Sequence, residues 1–188
     1  MNAPRGVWQF GNGRLSVRQG DITHSTAQAI VNAANPQLAG GGGVDGAIHK
    51  AAGPALLTAG RLWVQDNGLL PTGRAIITPG FNLQAKWVIH TVGPIWHGGN
   101  QNEEELLASA YAESMRLARE NNIDCVDFPA ISCGAYGFPL ERAMPIALKT
   151  LAQSLSKGVV KAVSMVIFSP NAAAHWAETA TELFGTPV

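Results

Sequence analysis

Four successive glycines, Gly40, Gly41, Gly42 and Gly43, stand between an apolar run and a helix-forming one, and nothing else in the chain limits its folding so sharply. Around them, residues 20–54 read GDITHSTAQAIVNAANPQLAGGGGVDGAIHKAAGP. Ala29, Ile30 and Val31 suit a short buried strand, residues 32–35 turn the chain off its carboxyl end, and a helix is expected from about Gly46. A backbone free of Cβ atoms lets successive N–H groups converge on one anion. The helix that follows adds the positive end of its dipole at the same place. The expected guest is a phosphate.

Asp45 is electrostatically odd in such a loop, because a carboxylate near a phosphate costs like-charge repulsion that the glycine geometry does not require. One reading makes it a base or a water-orienting group beside the ligand. The other makes it the N-cap of the helix, a place where Asp is among the best residues. The loop alone leaves both open.

The stretch NAANPQLAGGGGVDGAIHKAAGP, preceded by GDIT and followed much later by FPAISCGAYGFP, resembles the macrodomains of the MacroD type. These are ADP-ribose-binding proteins that include O-acetyl-ADP-ribose deacetylases. The match runs from about Val17 to the last helix and rests on a long ungapped motif. It implies a three-layer α/β/α macrodomain with a mixed, mostly parallel central sheet. It also implies ADP-ribose as ligand, with adenine near Asp21 and Phe168 and with Ile22 among the substrate-binding residues. By the same resemblance, Gly41, Gly42, Gly43 and Val44 hold the diphosphate together with Ser132, Cys133, Gly134, Ala135 and Tyr136, and the distal ribose reaches Asn35, Asp45 and Tyr136.

The resemblance further implies a hydrolase that needs neither metal nor cofactor. Asn35 fixes the distal ribose, and Asp45 orients or deprotonates a water that attacks the ester carbonyl of O-acetyl-ADP-ribose or of ADP-ribosylated Asp and Glu side chains. Whether the α-phosphate takes the proton instead is left open. The alternative is a reader module that binds ADP-ribose without turnover; it needs the glycine loops and Asp21 but not Asn35 together with Asp45. One departure stands out: Ser169, Pro170 and Asn171 replace the acidic residues often found after the final strand in relatives, which leaves the adenine edge undetermined.

Composition agrees with an uncharged grip on an anion. The formal net charge is zero and only 14% of residues are charged, so neither steering toward nucleic acid nor a basic membrane patch is supported. With 46% hydrophobic residues, 188 residues suffice for one domain, 1–188. Cys125 and Cys133 lie too far apart on one extended segment to bridge, the N-terminal stretch lacks an apolar leader, and no apolar run approaches a membrane span. The cytoplasm is the expected compartment.

Taken in order, residues 7–10 and 15–19 alternate apolar and polar about Asn12 and Gly13, the signature of an antiparallel edge hairpin. Its second strand leads to Asp21, for which an Asx turn before Thr23 is the plainer role. Residues 46–67 read as helix broken at Gly53 and Pro54; residues 75–78 and 87–91 read as strands. Asn102 is expected to cap a helix with Leu107, Tyr111, Ser114 and Ala118 on its inner face. Residues 123–131 form the next strand and end in a second glycine loop, 132–137. Pro139 then opens a helix that Pro145 kinks or delays. Residues 159–168 are the last strand, and Asn171 caps a closing helix with Trp176, Ala180 and Leu183 inward. Strands alternating with helices argue for an α/β sandwich whose two glycine loops face each other across one crevice at the strands' carboxyl ends.

Three other motifs are weaker. Gly41, Gly43 and Gly46 satisfy a dinucleotide fingerprint, but residues 32–39 intervene after the strand and Asp66 falls in a helix. Cys133 sits where a helix end could activate a thiol, yet no histidine is placed beside it. His24, His90 and His97 have no metal-ligand spacing. His49, four residues after Asp45, shares its helical face and can orient it or meet the ligand.

Overall fold

The computed structural model describes residues 4–188. In chain order its strands are β1 (Gly6–Phe10), β2 (Gly13–Gln19), β3 (Ala29–Ala33), β4 (Ala75–Pro79), β5 (Trp87–Thr91), β6 (Cys125–Phe128) and β7 (Ala162–Ile167). Its helices are α1 (Gly43–Ala52), α2 (Pro54–Asn67), α3 (Glu103–Glu120), α4 (Leu140–Ser156) and α5 (Pro170–Phe184), with a 3-10 turn at Ile22–His24. The strands make one sheet in the order β1-β2-β7-β6-β3-β5-β4. The pairs β2–β7, β7–β6, β6–β3 and β3–β5 are parallel; β1–β2 and β4–β5 are antiparallel. Both edges therefore carry an antiparallel strand, where the sequence signalled only the first.

Strand periodicity sorts the side chains onto the two faces of the sheet. Ala29 and Val31 face the layer that holds Leu107, Tyr111, Met115, Leu148, Leu151 and Trp176 of α3, α4 and α5. Ile30 and Val88 face Ile48, Ala52 and Leu56 of α1 and α2. The result is α/β/α. Gly53 (φ 82) separates α1 from α2, with Pro54 at the first turn of α2, so the break falls where the sequence put it. None of the described helices is long and apolar enough to cross a membrane.

Several boundaries differ from the sequence reading, each for a local reason. The hairpin turn centres on Gly11 (φ 60) and Asn12, one residue earlier than expected, so that Phe10 pairs with Gly13. Strand β6 stops at Phe128 because Pro129 has no N–H to continue a ladder. Strand β7 starts late because residues 158 and 159 close the end of α4, Gly158 N–H to Leu155 C=O and Val159 N–H to Ser154 C=O. Pro145 neither delays nor ends α4, which begins at Leu140 with Pro139 at its N-cap and carries Pro145 inside.

Two caps are reassigned. Asn102 adopts a left-handed conformation (φ 58) and caps nothing with its side chain. The neighbouring Glu103 carboxylate instead accepts from the amides of His97 (3.0 Å), Gly99 (3.1 Å) and Gln101 (2.5 Å) and orders the loop before α3. At α5 the cap is Ser169, whose Oγ accepts from Ala172 N–H, rather than Asn171.

Candidate active site

Since β2, β7, β6 and β3 are consecutive parallel neighbours, their exits share one rim of the sheet. Asp21 follows β2, Phe168 follows β7, residues 129–137 follow β6 and residues 34–42 follow β3. Three strand spacings of roughly 4.8 Å put the two ends of this row about 14 Å apart. An extended ligand can lie along it.

At the β6–β3 end of this row is a cleft of about 270 Å³. One wall is Asn35 with Gly41, Gly42, Gly43, Val44 and Asp45; the other is Ser132, Gly134, Ala135 and Tyr136; Gly93 and Ala130 lie between. The two glycine loops do face each other. Helix α1 begins at Gly43, with no side chain capping it, and among the described residues the amides of 41–45 have no acceptor; those of 134–136 have none either. Both loops thus offer free N–H groups at the cleft, and no lysine or arginine lines it. Gly46 lets α1 approach this closely, because a Cβ there would collide with the Gly41 carbonyl oxygen.

The opposite loop is held from outside. The Tyr111 hydroxyl on α3 accepts from Ile131 N–H (3.1 Å) and donates to Pro129 C=O (3.4 Å), and Trp96 N–H donates to Tyr136 C=O (2.9 Å). Ser132 sits in a left-handed conformation (φ 64) that a side chain rarely adopts, and its buried hydroxyl has no partner among the described residues. A strained backbone and an unpaired hydroxyl thus coincide at the cleft wall.

Asp45 is 6% exposed and lies in the first turn of α1, where the helix dipole favours it. It is not the N-cap; that place belongs to Gly42. One carboxylate oxygen, Oδ1, accepts from Asn32 Nδ2 (2.8 Å) and lies 3.4 Å from His49 Nε2. The other, Oδ2, would be 3.4 Å from a Cβ built on Gly41, and Asn35 Nδ2 would be 3.8 Å from the same point. The two groups therefore flank one spot on the cleft wall. Burial pushes the Asp45 carboxyl above its ordinary value, against the Asn32 hydrogen bond and the nearby His49, which both pull it down. Burial, and then the charge of Asp45, likewise push up the Tyr136 hydroxyl.

Asn35 braces its own loop, donating to Gly40 C=O (2.8 Å) and accepting from Ala39 N–H (3.2 Å), with its second amide hydrogen uncommitted. Of the other site residues read from the sequence, five lie outside the cleft wall. His49 stands behind Asp45, lining a neighbouring groove with Gly40 and Lys50. Asp21 accepts from Thr23 N–H (2.9 Å) and Thr23 Oγ1 (2.7 Å), the Asx-type turn that was its plainer reading. Burial works against its ionisation, but these bonds and His24 hold its carboxyl below the ordinary value. Ile22 packs with Val166 and Val44, which ties that turn to α1, and Ser25 fixes it further by donating to the buried Asp127 (2.6 Å), itself paired with Arg18. Phe168 is 76% exposed at the β7 exit. Cys133 is half-buried, its thiol pushed up to about 12 by burial and donating to Ile131 C=O (3.4 Å), so it is a poor nucleophile.

Three residues belong to the site that sequence reasoning did not assign to it: Asn32, His90 and Thr78. Asn32, expected in the turn, is the fourth residue of β3 and fully buried against Asp45. His90 reaches Asn32 with one ring nitrogen and Thr78 with the other. The signal was present as a polar residue inside each of three apolar strands.

An α/β/α sandwich with acceptor-free amides on two facing loops and one buried acid beside them has the chemistry that suits an anionic ligand such as a phosphate. The chain belongs to the Macro domain family, whose profile matches residues 31–147. It is 55% identical over 144 residues to the O-acetyl-ADP-ribose deacetylase of Escherichia coli, covering 77% of this chain and 81% of that one. It is 53% identical over 156 residues to a macro domain-containing protein of Caldanaerobacter subterraneus, covering 83% and 89%. Among solved structures, the Oceanobacillus iheyensis macrodomain with ADP superposes with a TM-score of 0.91 at 44% identity, over 94% of this chain and 95% of that one. The Trypanosoma brucei macrodomain in complex with ADP-ribose does so at 0.80 and 33% identity, over 88% and 68%.

Proposed function

We propose that this macrodomain is an ester hydrolase that removes the acyl group from O-acetyl-ADP-ribose and, by the same attack, releases mono-ADP-ribose from acidic side chains. The reading rests on Asp45 Oδ2 and Asn35 Nδ2 flanking one spot beside the free amides of both glycine loops. The deacetylase name and the ADP-ribose ligand of its relatives support it.

The diphosphate lies between residues 41–44 and 132–136, with the adenosine end along the rim toward Asp21 and Phe168. Asn35 then holds a hydroxyl of the distal ribose and Asp45 holds a water. That water adds to the acyl carbonyl carbon while its proton passes to Asp45 or to the nearby phosphate. The resulting oxyanion is met by loop amides. Collapse breaks the bond to the ribose oxygen, which takes up the proton, leaving a free carboxylic acid and ADP-ribose. An ester of a protein Asp or Glu presents the same carbonyl, so one site serves both substrates. The two free thiols accord with a reducing cytoplasm.

The test compares Asp45→Ala and Asn35→Ala with the unaltered chain, measuring acetate release and, by calorimetry, ADP-ribose binding. Loss of the carboxylate that holds the attacking water is expected to lower kcat by about a hundredfold or more, while Asp45→Ala keeps ADP-ribose affinity within a few-fold. Unaltered protein that binds ADP-ribose but turns over neither ester class would instead make it a reader. Product analysis on O-acetyl-ADP-ribose against ADP-ribosylated protein ranks the two substrates.

A further inference from the structure

Behind Asp45 runs a buried polar chain of Asn32, His90 and Thr78, none of which lines the cleft. Asn32 Nδ2 is 2.8 Å from Asp45 Oδ1 and 3.2 Å from His90 Nδ1. His90 Nε2 is 3.0 Å from Thr78 Oγ1, whose hydroxyl donates to Pro79 C=O (3.2 Å). Asn32 and His90 are at most 1% exposed and Thr78 is 7% exposed. The chain crosses three neighbouring strands, β3, β5 and β4, with Asn32 directly opposite His90 and His90 opposite Ile76 in the register.

Hydrogen-bond chemistry gives this chain one direction. The Asn32 amide nitrogen is a donor only, with two hydrogens. If one goes to Asp45, the other must find an acceptor at His90 Nδ1. His90 must then be neutral with its proton on Nε2, which donates to Thr78, and the Thr78 hydroxyl passes its own hydrogen to Pro79. Every donor in the chain meets an acceptor. The Asn32 Oδ1 atom has no partner among the described residues, so nothing on its carbonyl side fixes the amide. Its orientation depends on the two nitrogen contacts. Turned over, the amide would set its oxygen against both the Asp45 carboxylate and the His90 lone pair.

We infer that His90 is a positioning residue: the lone pair on its Nδ1 locks the Asn32 amide with its NH2 toward Asp45 Oδ1, which turns Asp45 Oδ2 toward the water that attacks the ester. The inference rests on the catalytic reading of Asp45 given above. The groups that face Asp45 are Asn32 from β3, His49 from its own helix and Tyr136 from the loop after β6; those that face His90 are Asn32, Thr78 from β4 and His49. Burial, and then the His49 charge, hold His90 down to about 3, so it stays neutral wherever the fold persists near neutral pH.

A wild-type measurement tests the proton placement without any variant. Nitrogen-15 correlation spectra of the imidazoles should give His90 as the Nε2–H tautomer, unchanged from pH 5 to 8. The Nδ1–H tautomer, or titration in that range, overturns the inference. A pair of variants tests the consequence. His90→Phe keeps a ring without an acceptor, whereas His90→Asn keeps an acceptor near the Nδ1 position. His90→Phe is expected to lower kcat for O-acetyl-ADP-ribose roughly ten- to a hundredfold, the cost of a small misplacement of a reacting group. ADP-ribose affinity should stay within about threefold, and the acidic limb of the kcat profile should move. His90→Asn should bring both kcat and the limb back toward wild type even though Thr78 loses its partner. Equal kcat and an unmoved limb in both variants, or no difference between them, would overturn it. Asp45→Ala separates the layers: full turnover there defeats the catalytic reading, whereas lost turnover there with wild-type kcat in His90→Phe defeats only the positioning role.

Discussion

Asp45 is kept in a place that disfavours its charge, and the sign of that effect has a consequence for stability. Its carboxyl is raised in the folded chain from a starting value of 3.8, so the fold binds this proton more tightly than the unfolded chain does. Stability from this group is therefore greatest at low pH and is lost as pH rises through the raised value. At neutral pH the charge is a net cost to folding. Asp45→Asn, which keeps the shape and removes the charge, should raise the thermal midpoint at pH 7 while abolishing acetate release; a lowered midpoint would contradict the assignment. Gly41 offers a second check at this scale. A methyl there meets Asp45 Oδ2 at 3.4 Å and Asn35 Nδ2 at 3.8 Å, ordinary contact distances, and its φ is not among the positive ones. Gly41→Ala should fold as wild type and lose turnover because the methyl fills the spot between those two groups. Circular dichroism and acetate release read the two halves of that statement.

The loop before α3 is held by a carboxylate rather than by the expected asparagine, which makes its stability depend on pH. Burial opposes ionisation of Glu103, but the amides of Gln101, Glu103 itself, His97 and Gly99 hold its carboxyl at about 2 against an ordinary 4.5. Its contribution is complete above about 4.5 and disappears as pH falls toward about 2. Glu103→Gln should be less stable than wild type at pH 7, with the gap closing between those limits in acid denaturation curves. Local signals in the sequence reached the elements well: the opening hairpin, the break at Gly53 and Pro54, and both glycine loops are written in residues a few positions apart. Asn102 and Asn171 misled because a cap depends on the conformation of one residue, and both positions had a competing acceptor next door or two residues earlier. Asn32, Thr78 and His90 showed only as polar residues inside apolar strands, and their meeting was hidden for another reason. They meet only through strand register, 12 and 58 positions apart, and no local pattern encodes register.

At the scale of the molecule, five consecutive parallel strands bring chain segments far apart in sequence to one rim, where amides of both glycine loops have no acceptor among the described residues. Occupation of the cleft should stabilise the whole fold. ADP-ribose at a hundred times its Kd should add about 2.7 kcal/mol and lift the thermal midpoint by about 5–10 °C for a chain of this size. Differential scanning fluorimetry reads this directly, and adenosine, which has no diphosphate, should give much less.

The cleft wall carries amides, mostly small side chains, Asn35, Tyr136 and one acid, with neither lysine nor arginine. A grip made of fixed dipoles displaces few counterions when the ligand enters, unlike one made of mobile cations. A diphosphate seated there as proposed should lose little affinity as ionic strength rises, because contacts shielded from solvent are poorly screened. The protein would recognise its ligand as well in concentrated salt as in dilute buffer.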